Sequence, residues 1–323
     1  MKTHRIIIDT DPGFDDMVSI LLAFASPELE LLGICAVAGN VPLEDTARNA
    51  LRVCELAGRT DVPVFMGCAG PLLRDQVFGK YANSGGLGGD LLPEPALRCA
   101  EGHAVDHIVK AARDAAARGE TITICAHAPL TNVAMACLMG GEEFVRGVER
   151  IIIMGGAFEA LGNRVPWAEF NVYADPHAAA VVFASKIPVT LFPLDATFQG
   201  LLTPERLDRI RAVSGRVGEV MEKLLKIYDR NDVARYGQEG GPLHDPMVPA
   251  FLLRPELFET VPAWVGVETA NPESAGHTYC DFFGKLGRKP NCDVVRRVDS
   301  DGFFALVTER LAAYGPTQRG ETQ

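Results

Sequence analysis

The chain alternates short, mostly apolar runs with longer runs whose apolar positions recur at helical spacing. Residues 5–9, 29–38, 62–65, 121–126, 148–154 and 189–192 are dominated by Ile, Val, Leu and Ala. Runs of this kind predict strands buried on both faces, as in a parallel sheet. Helical spacing predicts helices over 15–25, 43–57, 103–118, from about 130, and over 175–185. Ser26-Pro27, Gly58 and Gly119 stop the first three, and Asp175-Pro176 opens the last. Repetition of strand, loop and helix predicts an α/β fold: an open, mainly parallel sheet with helices on both faces. The pattern then changes. Residues 205–228 read as mostly helical, and 245–253 as a short helix after a glycine-rich loop. Residues 261–268, 277–281 and 293–298 read as strands of a smaller sheet or extension, and 299–314 as a terminal helix. The polar tail 315–323 is expected to fray. With no Pro/Ser linker and no internal repeat, 1–323 reads as a single domain.

Composition narrows the function. The 323 residues are 47% apolar and 23% charged, which excludes a disordered, fibrous or disulfide-stapled protein. A net charge of −11 opposes binding to nucleic acid or to an anionic membrane. The basic stretch Lys285, Arg288, Lys289, Arg296 and Arg297 reads as a solvated face. No apolar run approaches the ~18 residues of a membrane span. Lys2 and Arg5 precede only Ile6, Ile7 and Ile8 before Asp9, too little for a secretory leader. Eight cysteines, none in a Cys-x-x-Cys pair, suit a reducing compartment, so the expected location is cytoplasmic.

The strongest chemical signal is Asp9-Thr10-Asp11-Pro12-Gly13-Phe14-Asp15-Asp16, just past the first apolar strand. In open parallel sheets, ligands bind outside the carboxyl ends of strands. Crowded carboxylates repel one another unless protonated or neutralised by a cation, and oxygen donors suit a hard ion such as Ca²⁺ or Mg²⁺. Pro12-Gly13 turns Asp11 back toward Asp15 and Asp16, which open a helix about 100° apart. Helix capping would need only one or two of these residues. Three further segments carry candidate chemistry: His244-Asp245-Pro246 before a short helix, the loop from Gly162 to Asn171 with Asn163, Glu169 and Asn171, and His127-Ala128-Pro129-Leu130-Thr131-Asn132 at a strand end. Two segments, about 67–100 and 155–173, lack periodicity, and loops this long tend to be functional. The glycine-dense residues 84–90 lack the Lys-Ser/Thr ending of a phosphate-binding loop.

Together these motifs, in this order, resemble the inosine-uridine preferring nucleoside hydrolase family over residues 4–314. The resemblance implies a Rossmann-like core and hydrolysis of ribonucleosides to ribose and a free purine or pyrimidine base. It implies a Ca²⁺ held by Asp11, Asp16, Asp245 and the backbone carbonyl of His127. Asp11 would act as general base on the attacking water, and His244 would protonate the leaving base. Asp15, Asn40, Met154, Asn163, Glu169, Phe170 and Asn171 would form the ribose pocket. Asn83, Tyr228 and Tyr236 fall on the base side, where Ala82-Asn83 departs from the His-Gly of many relatives. The implied assembly is a homodimer or homotetramer. Two rival readings are a phosphatase of the haloacid dehalogenase type and a non-catalytic nucleoside- or sugar-binding protein. The first wants Thr or Val where Gly13 stands and leaves Asp15, Asp16, His244 and Asp245 without a task. The second does not require the full set of Asp11, Asp16, Asp245 and His244.

Overall fold

The structure is a computed structural model that describes residues 3–79, 85–87, 91–213, 215–224 and 240–315. Asn83, Tyr228, Tyr236, most of the glycine-dense segment and the tail from 316 lie outside the described residues.

Continuous apolar strands do form a doubly covered sheet. In β1 (His4–Thr10) the side chains of Ile6 and Ile8 enter one core and that of Ile7 enters the other. Each strand residue points to the face opposite its neighbours, so an unbroken apolar run is what two buried faces require. The first core is closed by α1 (Phe14–Phe24), which follows β1, and by α2 (Leu43–Leu56), which follows β2 (Leu29–Ala36). After β3 (Val64–Met66), the second core is closed by α3 (Ala104–Ala117) and α4 (Thr131–Gly147), which flank β4 (Ile122–Ala126). Next come β5 (Val148–Met154), α5 (Phe170–Ala174), α6 (Pro176–Phe183), β6 (Val189–Phe192), the single turn α7 (Leu194–Thr197) and β7 (Leu201–Leu202). The chain continues through α8 (Pro204–Val213), helical residues 215–224 (α9), β8 (Gly241–Pro242), α10 (Met247–Leu253), β9 (Phe258–Val267), β10 (Thr278–Asp281), β11 (Cys292–Val298) and α11 (Ser300–Leu311).

The nine-stranded sheet runs β10-β9-β11-β6-β5-β4-β1-β2-β3. All neighbours from β11 to β3 are parallel; β9 is antiparallel to β11 and to β10. The late strands therefore extend the main sheet through β11 beside β6 and do not form a separate one. Chain order reverses between β1 and β4, the switch point at which carboxyl strand ends leave a crevice. The ladder continues past the strands into that crevice: His127 N–H donates to Asp9 O (2.8 Å) and Val37 N–H to Thr10 O (3.1 Å).

Two departures from the sequence pattern have local causes. In the stretch expected to be helical over 205–228, Gly215 adopts φ +51° at the start of α9, and 225–228 lie outside the described residues. The segment 155–173 contains the start of α5, because Glu169 caps that helix with its side chain.

A candidate active site at the switch point

The turn after β1 is built by its own side chains. Gly13 precedes α1, and its N–H donates to Asp16 Oδ2 (3.0 Å) while Thr10 Oγ1 donates to Asp16 Oδ1. A carboxylate at the third helical position that reaches back to the cap fixes the entry of the chain into the helix. Asp15, one residue earlier, lines the same cavity as Asp16. Asp11 is held from the next strand over: Asn40 N–H donates to Asp11 Oδ2 (2.6 Å), and Asn40 Nδ2 donates to Asp11 O (3.1 Å).

A distant segment completes the floor. Asp245 lies just before α10, and oxygens of Asp15, Asp16 and Asp245 all fall within 4.8 Å of one another. Ser19 of α1 donates to Asp245 O (3.3 Å), and its hydroxyl lies 3.3 Å from His127 Nε2. Burial lowers the His127 pKa to about 3, so this imidazole is neutral. Its carbonyl accepts from Asn171 Nδ2 (2.9 Å).

Burial and mutual repulsion dominate the electrostatics. Burial, then the charge of Asp16, pushes Asp15 up to about 7. Burial, then the charge of Asp16 and, more weakly, that of Asp15, hold Asp11 well above the usual carboxylate range against the hydrogen bond from Asn40. Asp245 is raised well above that range by burial and by the charges of Asp15, Asp16 and Asp11. Asp16 is raised by burial against the opposing bonds from Thr10 and Gly13. Carboxylates that destabilise one another in a dry site, with oxygen as the sole donor type, fit a hard divalent cation.

The loop after β5 forms the opposite wall. Glu169 accepts from the N–H groups of Asn171 (2.8 Å), Gly156 (3.0 Å) and Val172 (3.1 Å), and burial raises it to about 7. Asn163 Oδ1 accepts from Phe170 N–H (2.8 Å). Asn171 Nδ2 also donates to Met154 O (3.1 Å). The cavity is lined by Asp15, Asp16, Asn40, His127, Met154, Asn163, Arg164, Glu169, Phe170, Asn171, His244 and Asp245, with parts of the glycine-rich loops.

The model of a family described as inosine-uridine preferring nucleoside hydrolase matches residues 6–305. The chain belongs to this family. A pyrimidine-specific ribonucleoside hydrolase of Escherichia coli is 43% identical over 311 residues, covering 96% of this chain and 98% of that protein. A purine-preferring ribonucleoside hydrolase from Gardnerella vaginalis superposes with a TM-score of 0.87 at 30% identity, covering 96% and 98%. A plant nucleoside hydrolase superposes with a TM-score of 0.88 at 30% identity, covering 96% and 99%. The chain is thus a hydrolase of the nucleoside hydrolase family, in the fold of its structural neighbours.

Within this nucleoside hydrolase, the residues singled out in the sequence largely converge, with a different emphasis. Asp15 joins Asp16 and Asp245 in the tight oxygen cluster, whereas Asp11 is not among the residues lining the cavity and accepts at one oxygen from Asn40. Glu169 spends both oxygens on backbone N–H groups, a structural duty its motif does not reveal. Pro-Leu-Thr-Asn is a bracing motif: Asn132 Nδ2 donates to Asp9 Oδ1 (2.7 Å), and Thr131 Oγ1 donates to Asp175 Oδ2 (2.8 Å). Sequence reasoning missed Arg164, a guanidinium on the wall whose buried Nε has no hydrogen-bond partner among the described residues. A cation between two motif residues was the available signal.

Gly39 shows how closely Asp11 is confined. A Cβ there would overlap Asp11 Oδ2 and stand 2.8 Å from Pro129 Cδ. Gly39→Ala is expected to push the carboxylate off Asn40 and to lower nucleoside turnover about 10-fold or more, since misplacement by about 1 Å can cost 10²-fold. Steady-state kinetics beside a melting curve check this; unchanged kcat would contradict the confinement.

Proposed function

We propose that this hydrolase cleaves the N-glycosidic bond of ribonucleosides to ribose and free base in a Ca²⁺-dependent reaction, with pyrimidine ribonucleosides preferred. The observation that carries this reading is the meeting of Asp15, Asp16 and Asp245 on one cavity with His244 and an amide-rich wall. Asp11, Asp16, Asp245 and the carbonyl of His127 would hold the ion. When bound, Ca²⁺ would neutralise the carboxylates and supply Lewis acidity toward a water and the ribose hydroxyls.

The chain's own groups supply the rest. Asp11, oriented by Asn40, accepts a proton from the attacking water. Positive charge develops on the ribosyl group as the C1′–N bond breaks, and the surrounding carboxylates favour it. His244 gives a proton to the departing base. Asp15, Asn40, Asn163, Glu169 and Asn171 hold the ribose, with Met154 and Phe170 packed beside it. An uncharged sugar-base ligand also suits a wall and floor rich in carboxylates better than a phosphorylated one.

Support for the base preference comes from the relatives. Those named pyrimidine-specific are 42–43% identical over 96% of the chain, whereas the purine-named structures are 29–30% identical. The test is release of reducing sugar from uridine, cytidine, inosine, adenosine and guanosine. Uridine and cytidine are expected to show the highest kcat/KM; faster inosine or guanosine would overturn the preference, and no sugar from any of the five would overturn the reaction.

A further inference from the structure

His244 lines the cavity and is held at one ring nitrogen by a residue outside the lining. Its Nδ1 lies 2.7 Å from Thr197 Oγ1, and both residues are buried. Thr197 ends α7, directly after β6, and the Phe198 ring stands 6.0 Å from the imidazole, centroid to centroid. The turn is itself anchored. Asp195 accepts from the N–H groups of Phe158 (2.9 Å), Glu159 (2.7 Å) and Ala160 (3.0 Å). Gly200 N–H donates to Thr197 O (3.0 Å), and Leu243 N–H donates to Gly200 O (2.9 Å), which ties the turn to the strand leading into His244. The β5 loop, the end of β6 and the His244 segment thereby form one braced unit.

We propose that Thr197 is the positioning residue for His244: its hydroxyl engages Nδ1, so Nε2 is the nitrogen presented to the leaving base. This rests on His244 being the proton donor of the proposed reaction. The two ring nitrogens are distinct, and the partner of one decides which atom the other offers. In the step itself, the C1′–N bond breaks and its electron pair stays on the base nitrogen, which takes the proton from Nε2. The water oxygen bonds to C1′ and its proton goes to Asp11. His244 is left neutral with Nδ1–H donated to Thr197 Oγ1. Asp11 then loses a proton to solvent and His244 regains one, so the sum is nucleoside plus water to ribose plus base. Without the hydroxyl, Nδ1 loses this partner and the ring is less firmly set with Nε2 toward the base.

Thr197→Val keeps the branching and volume and removes the hydrogen bond; Thr197→Ser keeps the bond and drops a methyl. Both are to be compared with His244→Ala and the parent protein on uridine and on p-nitrophenyl riboside, whose leaving group needs little protonation, with melting curves for each. Thr197→Val is expected to lower kcat on uridine about 10–100-fold, the usual range for a supporting partner. KM on uridine and turnover of the nitrophenyl riboside should stay within about 3-fold, and Thr197→Ser should recover most of the uridine activity. Equal losses on both substrates, no loss, or a serine variant as poor as valine would overturn the assignment of Thr197. If His244→Ala itself fails to separate the two substrates, the proton-donor reading falls and the positioning role with it. If His244→Ala separates them and Thr197→Val does not, only the role of Thr197 falls.

Discussion

Replacing Asp11 by Asn is expected to cut kcat on uridine by at least about 10³-fold, within the range general-base catalysis contributes. The fold should survive. Asparagine keeps the shape and offers an oxygen to Asn40 N–H, which now donates to Asp11 Oδ2 at 2.6 Å. What the change removes is the proposed proton acceptor and one negative charge in a site where Asp16 and Asp15 already oppose it. The cation-free variant should therefore melt no lower than the parent, and slightly higher near pH 8. Kinetics and melting curves on the same preparations decide it: near-normal turnover would remove Asp11 from the reaction, and a collapsed melt would make its role structural.

The second large effect is a reversed pH dependence of stability when divalent cations are stripped away. Asp9 and Asp15 stand near 7 in the fold against 3.8 as free side chains, and Glu169 near 7 against 4.5, in each case chiefly through burial. Between about pH 4 and 7 the folded chain holds more protons than the unfolded one, so stability falls as pH rises through that window. The stripped protein is expected to melt at least about 5 °C lower at pH 8 than at pH 5.5, since about 1 kcal/mol moves Tm by 2–4 °C in a chain of this class. Ca²⁺ at about 100 times its Kd should then recover about 2.7 kcal/mol at pH 8 and far less at pH 5.5, where protons compete for the same oxygens. A melting temperature that rises from pH 5.5 to 8 without cation, or ignores Ca²⁺ at pH 8, would contradict this picture of the cluster.

Both expectations depend on features of unequal visibility in the sequence. The parallel core was legible because each strand is apolar throughout, as Ile6, Ile7 and Ile8 show by entering alternate cores. The acidic turn was legible because Pro12-Gly13 and the helix start act within eight residues. Which carboxylates share the tight cluster was not, because one Asp11 oxygen accepts from a backbone N–H of Asn40 in the loop after the neighbouring β2. The same holds for Glu169, whose oxygens go to N–H groups that exist only once α5 and the β5 end have formed. Thr197 was invisible for a similar reason: it lies 47 residues from His244 and in no motif. The late strands belong to the main sheet through the pairing of Asp293 and Val294 with Thr190 and Leu191, a contact that no local pattern encodes.

The central claim is that this acidic site releases ribose only with a divalent cation in place. The measurement is free ribose formed from uridine by the purified protein, before chelation, after exhaustive chelation, and after Ca²⁺ is returned. Steady release, loss to background and recovery with Ca²⁺ is the expected sequence. Turnover that continues unchanged after exhaustive chelation would contradict it.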